Sequence, residues 1–220
     1  MSQVWIALGS NLGDREESIS RAVAKLATLD LPPSRLSHLY ETAPEHGLDE
    51  PPYLNAVLQT ESERDPLELL HILQRIETEL GRPPVGPARS GSRTLDLDLL
   101  AAGDCIEGVD PSGNAPSGVG APGSSGIGTS APVCPEPESA DARAELILPH
   151  PRLHLRSFVL VPLCEIDPHW RHPLLGRTAA SLLAELDVPP GSVRLHGSLG
   201  LEPAGSGPYP WRQLPARGGI

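Results

Sequence analysis

The most informative stretch of the sequence is Arg93-Thr94-Leu95-Asp96-Leu97-Asp98-Leu99-Leu100, in which leucines alternate with polar residues. A period of two is typical of a half-buried β-strand, so Asp96 and Asp98 should share one face and the leucines the other. Two carboxylates about 6 Å apart repel each other by roughly 3 kcal/mol at an effective dielectric constant of 20. Such a pair suits Mg²⁺, which takes one or two carboxylates and fills its other positions with water and phosphate oxygens. A solvated acidic face on an edge strand is the alternative that this stretch alone leaves open.

Composition divides the chain into a folded part and two segments of a different character. Its 220 residues allow one domain of ordinary size, but the 26 prolines and 22 glycines exceed a fifth of the chain. From 103 to 145, Gly, Pro, Ser and Ala dominate, and seven acidic residues with one arginine supply −6 of the net charge of −11. We expect a single domain at 1–186 that is interrupted by a flexible acidic insertion at about 103–145. A loosely ordered C-terminal tail is expected at 187–220.

Charge and residue usage exclude several classes of function. The net charge of −11 argues against nucleic-acid binding and against an anionic membrane surface. No apolar run approaches the roughly 18 residues of a membrane span, and the N-terminus lacks a signal region, so a cytoplasmic protein is expected. The three cysteines are far apart and form neither a disulfide framework nor a zinc motif. Lys25 is the only lysine, so phosphate binding would depend on arginine, metal and backbone amides.

Hydrophobic periodicity and helix caps predict the remaining elements. Strands are expected at 3–8, 35–40 and 53–60, and helices at 15–29, 66–80 and 178–186. Asp14 and Asp65 are good N-caps for the first two helices, with Pro66 and Gly81 bounding the second. The apolar run at 158–166 must be buried. Glu77 falls at the edge of the apolar face of the second helix, where a partly buried salt bridge is the alternative to a functional carboxylate.

Six short motifs occur in a fixed order along the chain. They are Leu8-Gly9-Ser10-Asn11-Leu12-Gly13, Tyr40-Glu41-Thr42-Ala43-Pro44, Pro52-Tyr53-Leu54-Asn55-Ala56, Arg75-Ile76-Glu77 with Gly81-Arg82, Arg93 to Asp98, and Pro149-His150-Pro151-Arg152 through Arg156-Ser157-Phe158. Together they resemble the 6-hydroxymethyl-7,8-dihydropterin pyrophosphokinase family, and the resemblance covers 1–102 and 146–186. It implies an α+β fold, a ferredoxin-like three-layer αβα sandwich with a mostly antiparallel sheet.

The resemblance implies that the protein moves the pyrophosphoryl group of ATP onto the hydroxymethyl group of the dihydropterin and releases AMP, in folate biosynthesis. Two Mg²⁺ ions would be held by Asp96 and Asp98, and Arg82 and Arg93 would complete the catalytic set. The pterin would be bound by Thr42, Ala43, Glu45, Tyr53, Asn55 and Phe158, with Tyr53 and Phe158 on its two faces. ATP would be bound by Gln74, Glu77, Arg82, Arg89, Arg93, His150 and Arg156, with Gln74 beside the adenine.

The expected partners are therefore ATP and the pterin, with no nucleic acid and no membrane. We expect a monomer, and contact with other enzymes of the folate pathway is left open. The sequence departs from the family pattern at Ser90-Gly91-Ser92, where Trp-Gly-Pro is common, and at the prolines of 83–88. A catalytically impaired pterin- or nucleotide-binding module of the same fold is therefore the alternative function. A structural interaction domain without metal is a third interpretation, whereas the pair His150 and His154 lacks a third ligand for zinc.

Overall fold

The computed structural model describes residues 1–44, 50–81, 93–108 and 146–199. These ranges contain six strands, four α-helices and one 3-10 helix. In chain order they are β1 (Ser2–Ser10), α1 (Arg15–Thr28), β2 (Arg35–Leu36), β3 (Leu39–Thr42), β4 (Tyr53–Ser62), α2 (Pro66–Glu79), β5 (Asp96–Ala102), a 3-10 helix (Leu153–Leu155), α3 (Ser157–Ile166), α4 (Ala179–Glu185) and β6 (Val193–Gly197).

The strands form one sheet in the order β5-β1-β4-β3-β6, and β2 also pairs with β4. Every pairing between the described strands is antiparallel. Strand β1, next to the edge strand β5, places Gly9 opposite Asn55 of β4 on one side and opposite Asp96 of β5 on the other. This register aligns the polar ends of three strands.

The two longer helices begin and end where their capping residues predict. Asp14 accepts a hydrogen bond from the backbone N–H of Glu17 at 3.0 Å, and Asp65 accepts one from Leu67 at 2.9 Å. Pro66 occupies the first turn of α2, where its missing N–H costs no helical hydrogen bond. Gly81 follows this helix with φ of +107°, a conformation that glycine adopts without strain.

Each face of the sheet has its own apolar core. Leu8 and Leu97 belong to the core formed with α1 and α2, whereas Trp5 and Leu100 belong to the core formed with α3 and α4. Helices on both faces of a mostly antiparallel sheet confirm the predicted ferredoxin-like three-layer fold. None of the described helices is both long and apolar enough to cross a membrane.

The strand expected at 35–40 is instead two short strands, and Ser37 is the reason. Its hydroxyl accepts a hydrogen bond from the backbone N–H of Val57 at 2.9 Å, where a regular ladder would use a carbonyl. The same hydroxyl donates to the carbonyl of His38 at 2.8 Å. The side chain thus interrupts the ladder between β2 and β3.

The structure corrects both boundaries of the segments that composition marked as unstructured. Residues 193–197 of the expected tail form β6, which pairs with β3 at Tyr40–Leu195 and Thr42–Val193. Their apolar and polar residues alternate, which the surrounding glycine and proline obscured. At the other boundary Gly103 donates to the carbonyl of Gln3 at 2.7 Å and Cys105 is buried, so 103–108 belong to the folded domain. The remaining parts, 109–145 and 200–220, lie outside the described residues.

Candidate active site

One end of the sheet face that carries α3 is polar. Directly paired residues of neighbouring strands place their side chains on the same face. The pairs Tyr40–Asn55, Asn55–Gly9 and Gly9–Asp96 therefore form a row across four strands. Further along this face, toward α3, the sheet is apolar and includes Trp5. The row thus lies where the apolar part of this face ends, and its exposure increases from the buried Tyr40 and Asn55 to Asp96.

Gly9 leaves the middle of this row without a side chain. A Cβ atom at this position would lie 3.4 Å from Oδ1 of Asn55 and 3.7 Å from Cβ of Asp96. Any side chain would thus fill the space that separates the amide from the carboxylate. This role was not predicted from the sequence, where the only signal for it is the position of Gly9 at the start of a turn.

Asp96 and Asp98 lie on one face of β5, as their alternation with the buried leucines predicted. Nη1 of Arg93 donates to Oδ1 of Asp96 at 2.5 Å, and Nη1 of Arg156 lies 3.7 Å from Oδ2 of Asp98. About a quarter of the Asp96 side chain and 37% of the Asp98 side chain are exposed. Burial by itself lowers the pKa of Arg93, but the Asp96 carboxylate outweighs it, so this pKa is raised. The guanidinium is therefore a permanent cation beside the carboxylates.

This donor set fits a magnesium ion that is held together with its substrate. Two exposed carboxylates supply the one or two protein ligands that Mg²⁺ takes, and water and phosphate oxygens would supply the rest. The described ranges contain no cluster of three or more His, Cys, Asp or Glu side chains suited to a metal. Among those residues nothing resembles a closed, all-protein metal cage.

Ser10 and Asn11 attach the backbone around Arg93 to the end of β1. Oδ1 of Asn11 accepts from the N–H of Arg93 at 2.6 Å, and the Asn11 N–H donates to the Arg93 carbonyl at 3.1 Å. Ser10 Oγ donates to the Thr94 carbonyl at 2.6 Å. Nδ2 of Asn11 also donates to the carbonyl of Pro51 at 3.3 Å, just before β4. One buried amide thus connects the approach to β5 with the approach to β4.

A second group of polar residues lies at the start of β4. Nδ2 of Asn55 donates to Oγ1 of Thr42 at 2.9 Å, and both side chains are buried. Tyr53 pairs with Thr42 in the sheet, and its hydroxyl donates to Oε2 of Glu50 at 3.3 Å. Burial, followed by the negative charge of Glu50, raises the pKa of Tyr53. The phenol is therefore neutral at physiological pH.

Phe158 and Arg156 join these groups from the start of α3. Phe158 is partly buried against the core on this face, and Cζ of Arg156 lies 5.3 Å from the centre of its ring. The same guanidinium lies near Asp98, so Arg156 contacts both an aromatic ring and one of the two candidate metal-binding carboxylates. Cation–π contacts of this kind fix both side chains relative to each other.

His150 is held neutral beside this arginine. Burial, then the charges of Arg156 and Arg152, lower its pKa to about 4. Its Nδ1 accepts from the backbone N–H of Arg152 at 3.2 Å, so the ring proton is on Nε2. The ring thus offers one N–H donor that does not change with pH near neutrality.

A scan against protein-family models matches residues 5–168 to 7,8-dihydro-6-hydroxymethylpterin-pyrophosphokinase (HPPK). The chain belongs to the HPPK family. This membership confirms the resemblance that the six motifs predicted.

Curated HPPK relatives agree with this assignment. The 2-amino-4-hydroxy-6-hydroxymethyldihydropteridine pyrophosphokinase of Porphyromonas gingivalis is 36% identical over 79% of this chain and 95% of its own length. The enzyme of the same name from Bacillus subtilis is 34% identical over 74% of this chain and 76% of its own. The Folic acid synthesis protein fol1 of Pneumocystis carinii is 33% identical over 83% of this chain, which spans only 20% of that protein.

Solved structures share the HPPK fold. An HPPK-DHPS in complex with substrates has a TM-score of 0.55 and 13% identity, covering 83% of this chain and 43% of that chain. The wild-type HPPK-DHPS of Plasmodium falciparum has a TM-score of 0.53 and 14% identity, covering 83% and 44%. At these identities the likeness concerns the fold alone.

The HPPK assignments made from sequence fall into three groups in the structure. Most of them lie at the polar end of the sheet face that carries α3, or at the rim of that end. Two α2 residues do not: Gln74 is exposed, and Glu77 is buried behind β5 on the backbone N–H of Leu97 at 2.8 Å. Three others, namely Glu45, Arg82 and Arg89, lie outside the described residues. The face and its rim contain Thr42, Ala43, Tyr53, Asn55, Arg93, Asp96, Asp98, His150, Arg156 and Phe158.

Proposed function

We propose that this protein transfers the pyrophosphoryl group of ATP to the hydroxymethyl group of 6-hydroxymethyl-7,8-dihydropterin, with release of AMP, in folate biosynthesis. The observation that carries the proposal is the row of paired residues in which Gly9, which has no side chain, separates Asp96 from Asn55. Asp96 and Arg93 could bind a metal and phosphate on one side of Gly9. Asn55 could hydrogen-bond to a heterocycle on the other side. The names of the curated relatives supply the reaction.

Asp96 and Asp98 would hold the metal, for which we propose two Mg²⁺ ions. When bound, Mg²⁺ neutralises the charge of the phosphates between which the bond is broken. The two aspartates are fixed for this task by the buried leucines on the other face of β5. Their arginine partners, Arg93 and Arg156, offset the repulsion between the two carboxylates.

Cationic and neutral donors would orient the ATP phosphates. Arg93 and Arg156 are always charged and offer forked N–H groups that match phosphate oxygens. Nε2 of His150 adds a neutral donor beside them. We propose the same phosphate-binding role for Arg82 and Arg89, and a place near the nucleotide for Gln74 and Glu77. Catalysis would then consist of positioning and charge stabilisation.

The pterin would lie over Gly9, where no side chain projects from the sheet. Its edge carries donors and acceptors that the Asn55 amide and the Thr42 hydroxyl can pair with, while Ala43 and Glu45 would border it. Tyr53, which pairs with Thr42 in the sheet, and Phe158, at the start of α3, would cover its two faces by offset stacking. The hydroxymethyl oxygen would then point toward the aspartates.

The decisive experiment is turnover of 6-hydroxymethyl-7,8-dihydropterin with Mg-ATP, followed by AMP formation. Release of one AMP per pterin consumed supports the proposal. Calorimetric binding of the pterin and an ATP analogue without turnover would reject it in favour of a binding module. Absence of binding as well would leave only a structural role.

A further inference from the structure

A buried carboxylate that the proposed reaction does not use lies behind the pterin-binding row. Glu165 is near the end of α3 and only 2% exposed. Its Oε2 accepts from the backbone N–H of His38 at 3.0 Å and from the hydroxyl of Tyr40 at 2.9 Å. Its Oε1 pairs with Nδ1 of His38. A carboxylate taken out of water is strongly destabilising unless donors of this kind surround it.

These partners of Glu165 all belong to one short part of the sheet, at and just before β3. Tyr40 is directly opposite Asn55 in the sheet, and Thr42 follows two residues later on the same face. Asn55 in turn donates to Thr42. Tyr40 therefore lies between the Glu165 carboxylate and Asn55, which together with Thr42 is proposed to hydrogen-bond to the edge of the pterin.

The other end of the same helix carries Phe158. Seven residues separate Phe158 from Glu165, which is two helical turns, so both side chains leave the same face of α3. One continuous helix joins the two residues, with Pro162 inside it. The attachment of Glu165 to β3 therefore bears on the distance between Phe158 and the sheet.

We propose that Glu165 is a positioning residue that sets the gap between Phe158 and the Thr42–Asn55 pair, and hence the affinity for the flat pterin ring. This inference rests on the proposed function. ATP does not enter this gap in the proposed arrangement, since its phosphates would lie at Asp96 and Asp98. A loss of the Glu165 contacts should therefore affect the pterin selectively.

The test compares Glu165→Gln and Tyr40→Phe with the wild type. Calorimetry gives the Kd of the pterin and of an ATP analogue with Mg²⁺, steady-state kinetics give both KM values, and thermal melts give Tm. We expect the Kd and KM of the pterin to rise by about tenfold, the effect of one lost or weakened buried hydrogen bond. The Kd and KM for the nucleotide should stay within about twofold.

The matched control is Arg35→Met. Nη1 of Arg35 donates to the carbonyl of Ile166 at 2.8 Å, so it also ties the end of α3 to the sheet, but through β2. This variant should lower Tm without changing either Kd. If it shows the same selective loss of pterin binding, a general loosening of α3 explains the effect and the inference is wrong.

Two further results would overturn the inference. One is a fall in Tm for Glu165→Gln and Tyr40→Phe with both Kd values unchanged, and the other is an equal rise in both. If Glu165→Gln does not fold, Tyr40→Phe decides, because it removes a single hydroxyl. Wild-type protein without turnover would reject the proposed function and the inference with it, whereas normal turnover without selectivity rejects the inference alone.

Discussion

Glu77 accepts a hydrogen bond from the backbone N–H of Leu97 at 2.8 Å, so a carboxylate of α2 is attached to the residue that separates Asp96 from Asp98. Leu97 pairs with Leu8 on the inner side of this edge strand. Glu77 therefore supports the outer side of β5 at the candidate metal site. This contact indicates that Glu77 positions β5. That role is distinct from the place near the nucleotide that the family resemblance implied.

Replacing Glu77 should weaken metal binding as well as stability. Glu77→Ala leaves the buried N–H of Leu97 without this acceptor, which costs roughly 1–3 kcal/mol of the free energy of unfolding. The concentration of Mg²⁺ required for half-maximal rate should rise at the same time. Glu77→Gln keeps an oxygen acceptor and is the matched control. An alanine variant with a lower Tm and an unchanged Mg²⁺ dependence would contradict the positioning role.

Asp96→Asn should lower the rate of AMP formation by about 10³-fold or more, the usual size of losing one charge-stabilising group. The amide keeps the shape of the side chain but removes the charge that faces Arg93 and that would bind the proposed metal. Asp30→Asn is a suitable control, since the Asp30 side chain is 96% exposed and lies just after α1. A near-normal rate for Asp96→Asn would reject the metal assignment.

The sequence predicted the features that depend on local patterns. The face shared by Asp96 and Asp98 follows from alternation within one strand, and the starts of α1 and α2 follow from Asp14 and Asp65, which bond within their own first turns. The role of Asn11 could not be predicted in this way, because its partner Arg93 is 82 residues away. Tyr40 and Glu165 are separated by 125 residues. Such contacts depend on sheet register and helix placement, which local periodicity does not determine.

The buried histidines should make stability fall in mild acid. Burial, followed by the charge of His154, lowers the pKa of His172 to about 4, and that of His150 is also about 4. Between pH 4 and 6.5 the unfolded chain binds more protons at these rings than the folded protein does. Their contribution to stability is thus complete above about pH 6.5 and is lost as the pH falls toward 4, by up to about 1.4 kcal/mol per pH unit for each ring.

His172→Asn isolates one of these rings. An amide oxygen can accept the hydrogen bond that Nδ1 of His172 receives from the Leu175 N–H, but it does not titrate. Chemical denaturation at pH 7.5 and pH 5 should show a smaller loss for this variant than for the wild type. An identical loss would mean that His172 is protonated equally in both states.

The segment at 109–145 should be replaceable by the dipeptide Asn-Gly. The described residues on either side of it meet: Glu107 and Leu148 exchange two backbone hydrogen bonds of 3.0 Å, and a Cβ on Gly108 would lie 2.3 Å from the carbonyl oxygen of Leu146. With Asn-Gly in place, five residues would join this antiparallel pair, a common length for a hairpin loop. We expect Tm and the rate of AMP formation to be unchanged. A large loss of Tm would assign the segment a structural role, and a large loss of rate alone would assign it a role in catalysis.

Asn11→Ala should affect both substrates, because Asn11 bonds to the backbone on both sides of the site. Its side chain accepts from the Arg93 N–H and donates to the Pro51 carbonyl, two residues before Tyr53. We expect a lower kcat through Arg93 and a higher KM for the pterin through Tyr53. Ser10→Ala is the matched control, since the Ser10 hydroxyl bonds only to the Thr94 carbonyl among the hydrogen bonds described here. That control should lower kcat while leaving the KM for the pterin unchanged. An equal rise of the pterin KM in both variants would contradict this role of Asn11. It would show that the backbone at Arg93 and Thr94 determines the pterin KM, and that the bond from Asn11 to Pro51 does not.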